Sequence, residues 1–199
     1  MDALIRARLC SRNRNKLREL AALLPGWELE LLEAENYPPE EGSTYYENAL
    51  AKAQFGRERA PEREWVLGED SGLEVAGLGG RPGIQSARYA PEGTEAIAKL
   101  LGELRSVEDR RARYVCELVA LAPDGREVRG TGVLEGRIAE EPRGSEGFGY
   151  DPVFVPDGEE RTVAELGNNW KSRNSHRARA ASTLARALPP ARGGRRATS

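Results

Sequence analysis

The stretch ARYVCELVALAPDGREVRGTGVLEGRIA, residues 112–139, decides the fold class. Two runs of strand-forming residues flank Pro123-Asp124-Gly125, a turn tripeptide, so the stretch reads as one long antiparallel hairpin. A hairpin among otherwise interleaved strands and helices predicts an α/β fold built on a mixed sheet.

The chain upstream supplies the alternation. Residues 3–11 (ALIRARLCS) read as a first strand, and 15–24 (NKLRELAALL) as a helix with leucines at helical spacing, stopped by Pro25-Gly26. Residues 27–34 read as a second strand. Residues 42–60 read as a long helix that Ser43 or Thr44 caps and Pro61 closes. EWVLG (64–68) reads as a short buried strand that runs into two adjacent acids, Glu69 and Asp70, with Ser71 and Gly72 turning the chain. Residues 76–90 form a glycine-rich loop and 94–105 a second clear helix. Downstream, 142–156 is a further glycine-rich loop entering a strand at 152–155, and 175–188 is a closing helix. Residues 1–188 are expected to form one domain, and 189–199, with no apolar period, a disordered tail.

Composition narrows the chemistry. The chain has 199 residues, 39% hydrophobic and 31% charged, with a formal net charge of −2, so no nucleic-acid or membrane partner is expected. No apolar run reaches a membrane span and no leader pattern opens the chain, which points to the cytoplasm. Cys10 and Cys116 lie in apolar runs and are expected to be reduced core residues. One histidine, His176, leaves no room for a multi-histidine metal site; any metal would take oxygen ligands, which favours Mg²⁺ or Mn²⁺. Among 30 basic residues only Lys16, Lys52, Lys99 and Lys171 are lysine. A compact ammonium is not interchangeable with a guanidinium, so these positions stand out.

Several segments carry candidate chemistry. Ser11-Arg12-Asn13-Arg14-Asn15-Lys16 turns from a strand into a helix; it reads as an anion site at a helix start or as a plain cap at Ser11 or Asn13. Glu47, near a helix start, and Asp70, at a strand end, are two separated carboxylates suited to Mg²⁺, which takes few protein ligands beside phosphate and water; Glu47 alone also reads as a solvated helix acid. A carboxylate there would also accept a proton from an attacking water. A triad of Asp70, Ser71 and His176 is excluded if the strand persists, because neighbouring strand residues face opposite ways. Phe148 and Tyr150, between glycines and followed by Asp151, suit the stacking and reading of a flat heterocycle, or else pack into the core. Ser175-His176-Arg177 offers donors for the carbonyl oxygens of a base, or a helix cap beside a buried imidazole. Lys16 and Lys52 fall in these segments, and Lys171 lies just before the last of them.

Taken in order and at these spacings, SRNRNKLREL, TYYENALAKA, GEDSGLEVAGLGGRPGIQSARYA, PRGSEGFGYDPVF and SHRARA resemble the inosine/xanthosine triphosphate pyrophosphatases across residues 4–188. The resemblance implies an elongated mixed β-sheet flanked by helices, in two lobes with a nucleotide cleft between them. It also implies a homodimer, a Mg²⁺ requirement, and hydrolysis of ITP, dITP or XTP to the monophosphate and pyrophosphate. By position, Asp70 would activate water and bind metal, and Glu47 would help hold the metal. The 11–16 turn, with Asn13 and Lys16 foremost, and Lys52 would contact the triphosphate, with Ser71 against the substrate. Phe148 would stack on the purine; Gly149, Tyr150 and Asp151 would line its pocket; Lys171, His176 and Arg177 would read the 6-oxo edge. Two positions depart from the family pattern: Arg12 stands where glycine is usual, and Asn168-Asn169-Trp170 replaces an acidic stretch. Another base preference, or a nucleotide-binding regulator without turnover, are the alternatives that sequence leaves open.

Overall fold

A computed structural model describes residues 4–90 and 93–188; the expected 189–199 tail lies outside the described residues. The elements are β1 (Ile5–Leu9), α1 (Arg14–Leu23), β2 (Trp27–Leu31), α2 (Tyr45–Arg57), β3 (Trp65–Val75), β4 (Pro82–Gly83), α3 (Gly93–Glu103), β5 (Arg111–Leu121), β6 (Glu127–Ile138), β7 (Phe154–Pro156), α4 (Val163–Asn174) and α5 (His176–Ala187). The strands form one mixed sheet in the order β2-β1-β3-β5-β6-β7, with β4 against β3. β1 runs parallel to β2 and β3, and the β5–β6 hairpin pairs from Arg111↔Arg137 to Leu121↔Glu127.

One sequence expectation fails here. The chain does not turn at Ser71-Gly72; β3 continues unbroken to Val75, and Val66 through Val75 all pair with β5. Acids have low strand propensity, but a full ladder against a buried neighbour outweighs it, and each carboxylate meets cations on its own face. Helix α4 adds to the elements expected from sequence, and Thr162 and Glu165 form the capping box that marks its start.

The sheet separates two apolar layers. On one face Ala49 and Ala53 of α2 pack with Cys10, Val66 and Val119. On the other, Leu20 of α1 and Ala180 and Leu184 of α5 pack with Leu9, Leu67, Cys116 and Leu118. Both cysteines are buried and free. Farther along the long strands a third cluster joins Leu73, Ile97, Leu100, Tyr114, Leu134 and Phe154.

Two strand glycines set how closely the helices approach. A Cβ at Gly68 would lie 1.9 Å from the Ala49 carbonyl oxygen of α2, and one at Gly132 would lie 2.0 Å from the carbonyl oxygen of His176. Glycine at these positions therefore seats α2 and the start of α5 directly on the sheet.

The topology opens a crevice where the chemistry falls. β1 pairs with β3 only as far as Leu9↔Leu67, and β4 begins to pair at Leu73. Among the described residues, the intervening edge of β3 has no strand neighbour on that side. β1 lies between β2 and β3, so its carboxyl end is a switch point of the sheet, the place where open α/β sheets bind ligands.

Candidate functional site

The first turn of α1 closes one end of this crevice. The Asn13 side chain accepts from the N–H groups of Asn15 (2.9 Å) and Lys16 (3.2 Å), and Ser11 Oγ accepts from Asn13 N–H at 3.1 Å. The capped helix start thereby aims Lys16 inward, and its Nζ lies 2.5 Å from Glu69 Oε2. Asn13 and Lys16 line a central cavity of about 300 Å³. Ser11, Arg12 and Arg14 instead line an outer groove. Arg12 donates to the Glu35 carbonyl and lies 5.4 Å from the centroid of the Tyr37 ring. Arg12 thus ties the turn to the segment after β2.

Strand alternation sends the acidic pair to opposite faces. Asp70 faces α2, where Asn48 Nδ2 donates to Oδ2 at 3.0 Å and Lys52 Nζ donates to Oδ1 at 3.0 Å. Burial pushes the Asp70 carboxyl above its ordinary value, against the pull of Lys52. Burial alone would lower the Lys52 ammonium, but Asp70 and Glu40 hold it above its usual range. Glu69 faces the other way, between Lys16 and Arg177, whose Nη2 donates to Oε1 at 2.8 Å. Against full burial, Lys16 and then Arg177 keep the Glu69 carboxyl well below the usual range. Glu69 and Asp70 therefore serve opposite faces of the strand.

The second separated carboxylate also differs from expectation. Glu47 is exposed, and its Oε2 accepts from the N–H groups of Ser43 (2.6 Å) and Thr44 (3.2 Å), completing the capping box of α2. Glu40 takes the place beside Asp70: its Oε1 lies 2.5 Å from Lys52 Nζ, and Arg88 pairs with its other oxygen. Nothing periodic marks Glu40 in the sequence, because it sits in the irregular segment between β2 and α2.

At the far end, Phe148 forms a wall shared by the central cavity and a second one of about 280 Å³, which Asn15 and Glu19 also line. Lys171 Nζ lies 4.1 Å from the Phe148 ring centroid, and the Arg177 guanidinium carbon lies 5.7 Å from it. Asp151 Oδ2 accepts from Lys171 Nζ (2.5 Å) and Phe148 N–H (2.8 Å), which locks the loop onto α4. Burial pushes the Asp151 carboxyl up while Lys171 opposes it. Gly149 lines the central cavity, as does Tyr150, which is itself buried and donates to the Ser86 carbonyl at 3.1 Å. Tyr150 is thus a core residue with one face to the cavity, whereas Phe148 is only half buried. Trp170 does not line this cavity; it packs on the third core cluster and donates to Glu159 at 3.1 Å.

Arg177 and His176 enter from the start of α5, capped by Ser175. Arg177 also donates to Ser71 Oγ at 3.1 Å. The His176 ring stacks on Tyr114 at 4.5 Å between centroids, and its buried Nδ1 has no hydrogen-bond partner among the described residues. Burial, reinforced by Arg177 and then Lys171, holds the imidazole well below its ordinary value of 6.5, so it is neutral.

That neutrality has a measurable consequence. Below pH 6.5 the unfolded chain protonates its histidine while the folded one does not, so stability falls as the pH drops. We expect a slope of about 1.4 kcal/mol per pH unit between pH 6 and 5 in urea unfolding. As His176 is the one histidine of the chain, His176→Gln should flatten that slope; an unchanged slope would refute the assignment.

The dITP/XTP pyrophosphatase of Bdellovibrio bacteriovorus is 48% identical over 147 residues, 71% of this chain and 73% of that protein. That of Symbiobacterium thermophilum is 44% identical over 188 residues, 91% of this chain and 93% of that protein. A solved HAM1 protein from Coxiella burnetii superposes with a TM-score of 0.81 at 35% identity, covering 92% of this chain and 98% of its own. The Ham1 family model matches residues 7–187, and the chain belongs to that family.

Proposed function

We propose that this protein hydrolyses non-standard purine nucleoside triphosphates (ITP, dITP and XTP) to the monophosphate and pyrophosphate. The observation that carries the reading is a single cavity whose wall joins Asn13 and Lys16 at a helix start to Phe148 and to Lys171, His176 and Arg177. Triphosphate suits the first end and a flat, carbonyl-bearing base the second. The relatives named above as dITP/XTP pyrophosphatases support dITP and XTP as substrates.

In this reading the phosphates lie along the open edge of β3, between Lys16 and Lys52. Asp70, as the carboxylate, accepts a proton from the water that attacks phosphorus; its raised basicity suits that task, and Asn48 and Lys52 fix its orientation. At the base end, Lys171 and Arg177 donate to the 6-oxo oxygen. Adenine would present its own amino donor there, donor against donor.

A divalent cation fits the phosphate end. Glu40 and Asp70 present carboxylate oxygens to one point, and Lys52 Nζ already lies within 3.0 Å of both, a positive charge where a metal would sit. Glu40 and Asp70 would hold the ion, in place of the Glu47 and Asp70 pair expected from sequence. Such an all-oxygen set favours Mg²⁺, with Mn²⁺ as its nearest substitute. When bound, it would offset the negative charge of the phosphates.

We further propose residues 1–188 as one two-lobed domain, acting as a homodimer in the cytoplasm. Apolar clusters at both ends of the long strands support the two lobes. No helix among the described residues is long and apolar enough to cross a membrane.

Pyrophosphate release from ITP, XTP, dITP, ATP and GTP, with Mg²⁺ and without, tests the reading. Turnover of the oxopurines ITP, XTP and dITP at least tenfold above ATP, lost without metal, is expected. Equal turnover of ATP would sink the selectivity, and binding without hydrolysis would indicate a regulator.

A further inference from the structure

Glu19 lies on α1 one turn beyond Lys16 and carries no motif of its own. Its Oε1 is 2.7 Å from Lys171 Nζ and its Oε2 is 2.5 Å from Arg177 Nη1. One carboxylate therefore spans the two cations that flank Phe148. Those cations are otherwise anchored on different elements, Arg177 by Glu69 on β3 and Lys171 by Asp151 in the loop before β7. The result is a chain of alternating charge, Lys16–Glu69–Arg177–Glu19–Lys171–Asp151, running from the phosphate end to the base end.

We infer that Glu19 is a positioning residue for base selectivity, because its carboxylate holds Lys171 and Arg177 side by side at the base pocket. The inference rests on the reading that these two cations meet the 6-oxo edge. The side chains of Lys171 and Arg177 are only 5% and 2% exposed, so solvent screens their mutual repulsion poorly. Remove the charge between them and the two donors separate toward their other anchors. Donors no longer convergent on one oxygen lose their preference for a carbonyl over an amino group. Catalysis at Asp70, on the opposite face of β3, does not depend on this arrangement.

The test compares Glu19→Gln and Glu19→Asp with the wild type. Glu19→Gln keeps the shape and removes the charge. We expect it to lower the ITP-to-ATP ratio of kcat/KM about tenfold, chiefly by raising KM for ITP while kcat changes little. Calorimetric binding of IMP should weaken by a similar factor, with AMP unchanged. Glu19→Asp keeps the charge but withdraws it by one methylene, and should give an intermediate ratio; it carries the test should the Gln variant fail to fold. If both ratio and IMP affinity stay at wild-type values, or ITP and ATP turnover fall in parallel with melting temperature, the positioning role is overturned. A wild type that does not discriminate ITP from ATP would overturn the functional reading itself, which separates the two failures.

Discussion

Asp70→Asn should lower kcat for pyrophosphate release by about 10²- to 10⁴-fold while nucleotide binding survives, the range a positioned general base contributes. The substitution removes the one carboxylate that faces Asn48 and Lys52 on this side of β3, but leaves an isosteric amide that still accepts from Lys52. Lys52 keeps Glu40 and the Glu69 carbonyl as partners, so the phosphate-binding charge stays in place. Calorimetry with ITP would verify retained binding. Asp70 acts only as the carboxylate, so turnover should fall on the acid side of the pH–rate profile. Retained turnover in the Asn variant would remove Asp70 as the base.

Arg177→Met should destabilise the fold by about 3–5 kcal/mol, the cost of stripping one partner from a buried ion pair. At about 2–4 °C per kcal/mol for a chain of this size, the melting temperature would drop by about 6–20 °C. Arg177 is 1% exposed and binds Glu69, Glu19 and Ser71 at once. Without it the fully buried Glu69 keeps only Lys16 as an ion-pair partner among the described residues. Arg177→Met combined with Glu69→Gln should recover part of the loss, because the stranded charge is gone. A single variant as stable as the wild type would show that the pair contributes nothing net. Thermal unfolding of both proteins decides it, and the same variants should lose preference for ITP.

The long hairpin, the α1 and α2 helices with their caps, and the segments that carry Asp70, Phe148 and His176-Arg177 were all legible in the sequence. These signals are local: periodicity, turn residues, and a run of motifs at fixed spacing. The continuation of β3 through Asp70 and Ser71 was not legible. Propensity argued for a turn, and only pairing with β5 along the whole strand overrode it. Once β3 is straight, alternation forces Glu69 and Asp70 apart, so two acids that look like one pair in sequence serve opposite faces of the sheet.

What the sequence by itself determined is the fold class, the strand–turn–helix that opens the site, and the identity of most residues facing it. Only the tertiary structure decided the pairing of charges. Glu40 rather than Glu47 shares Lys52 with Asp70, and Glu19 bridges Lys171 and Arg177 from a helix more than 150 positions away. A charge finds its partner through space, where burial removes water and leaves an opposite charge as the cheapest solvent. Sequence spacing reports that partnership only along a single helix or strand.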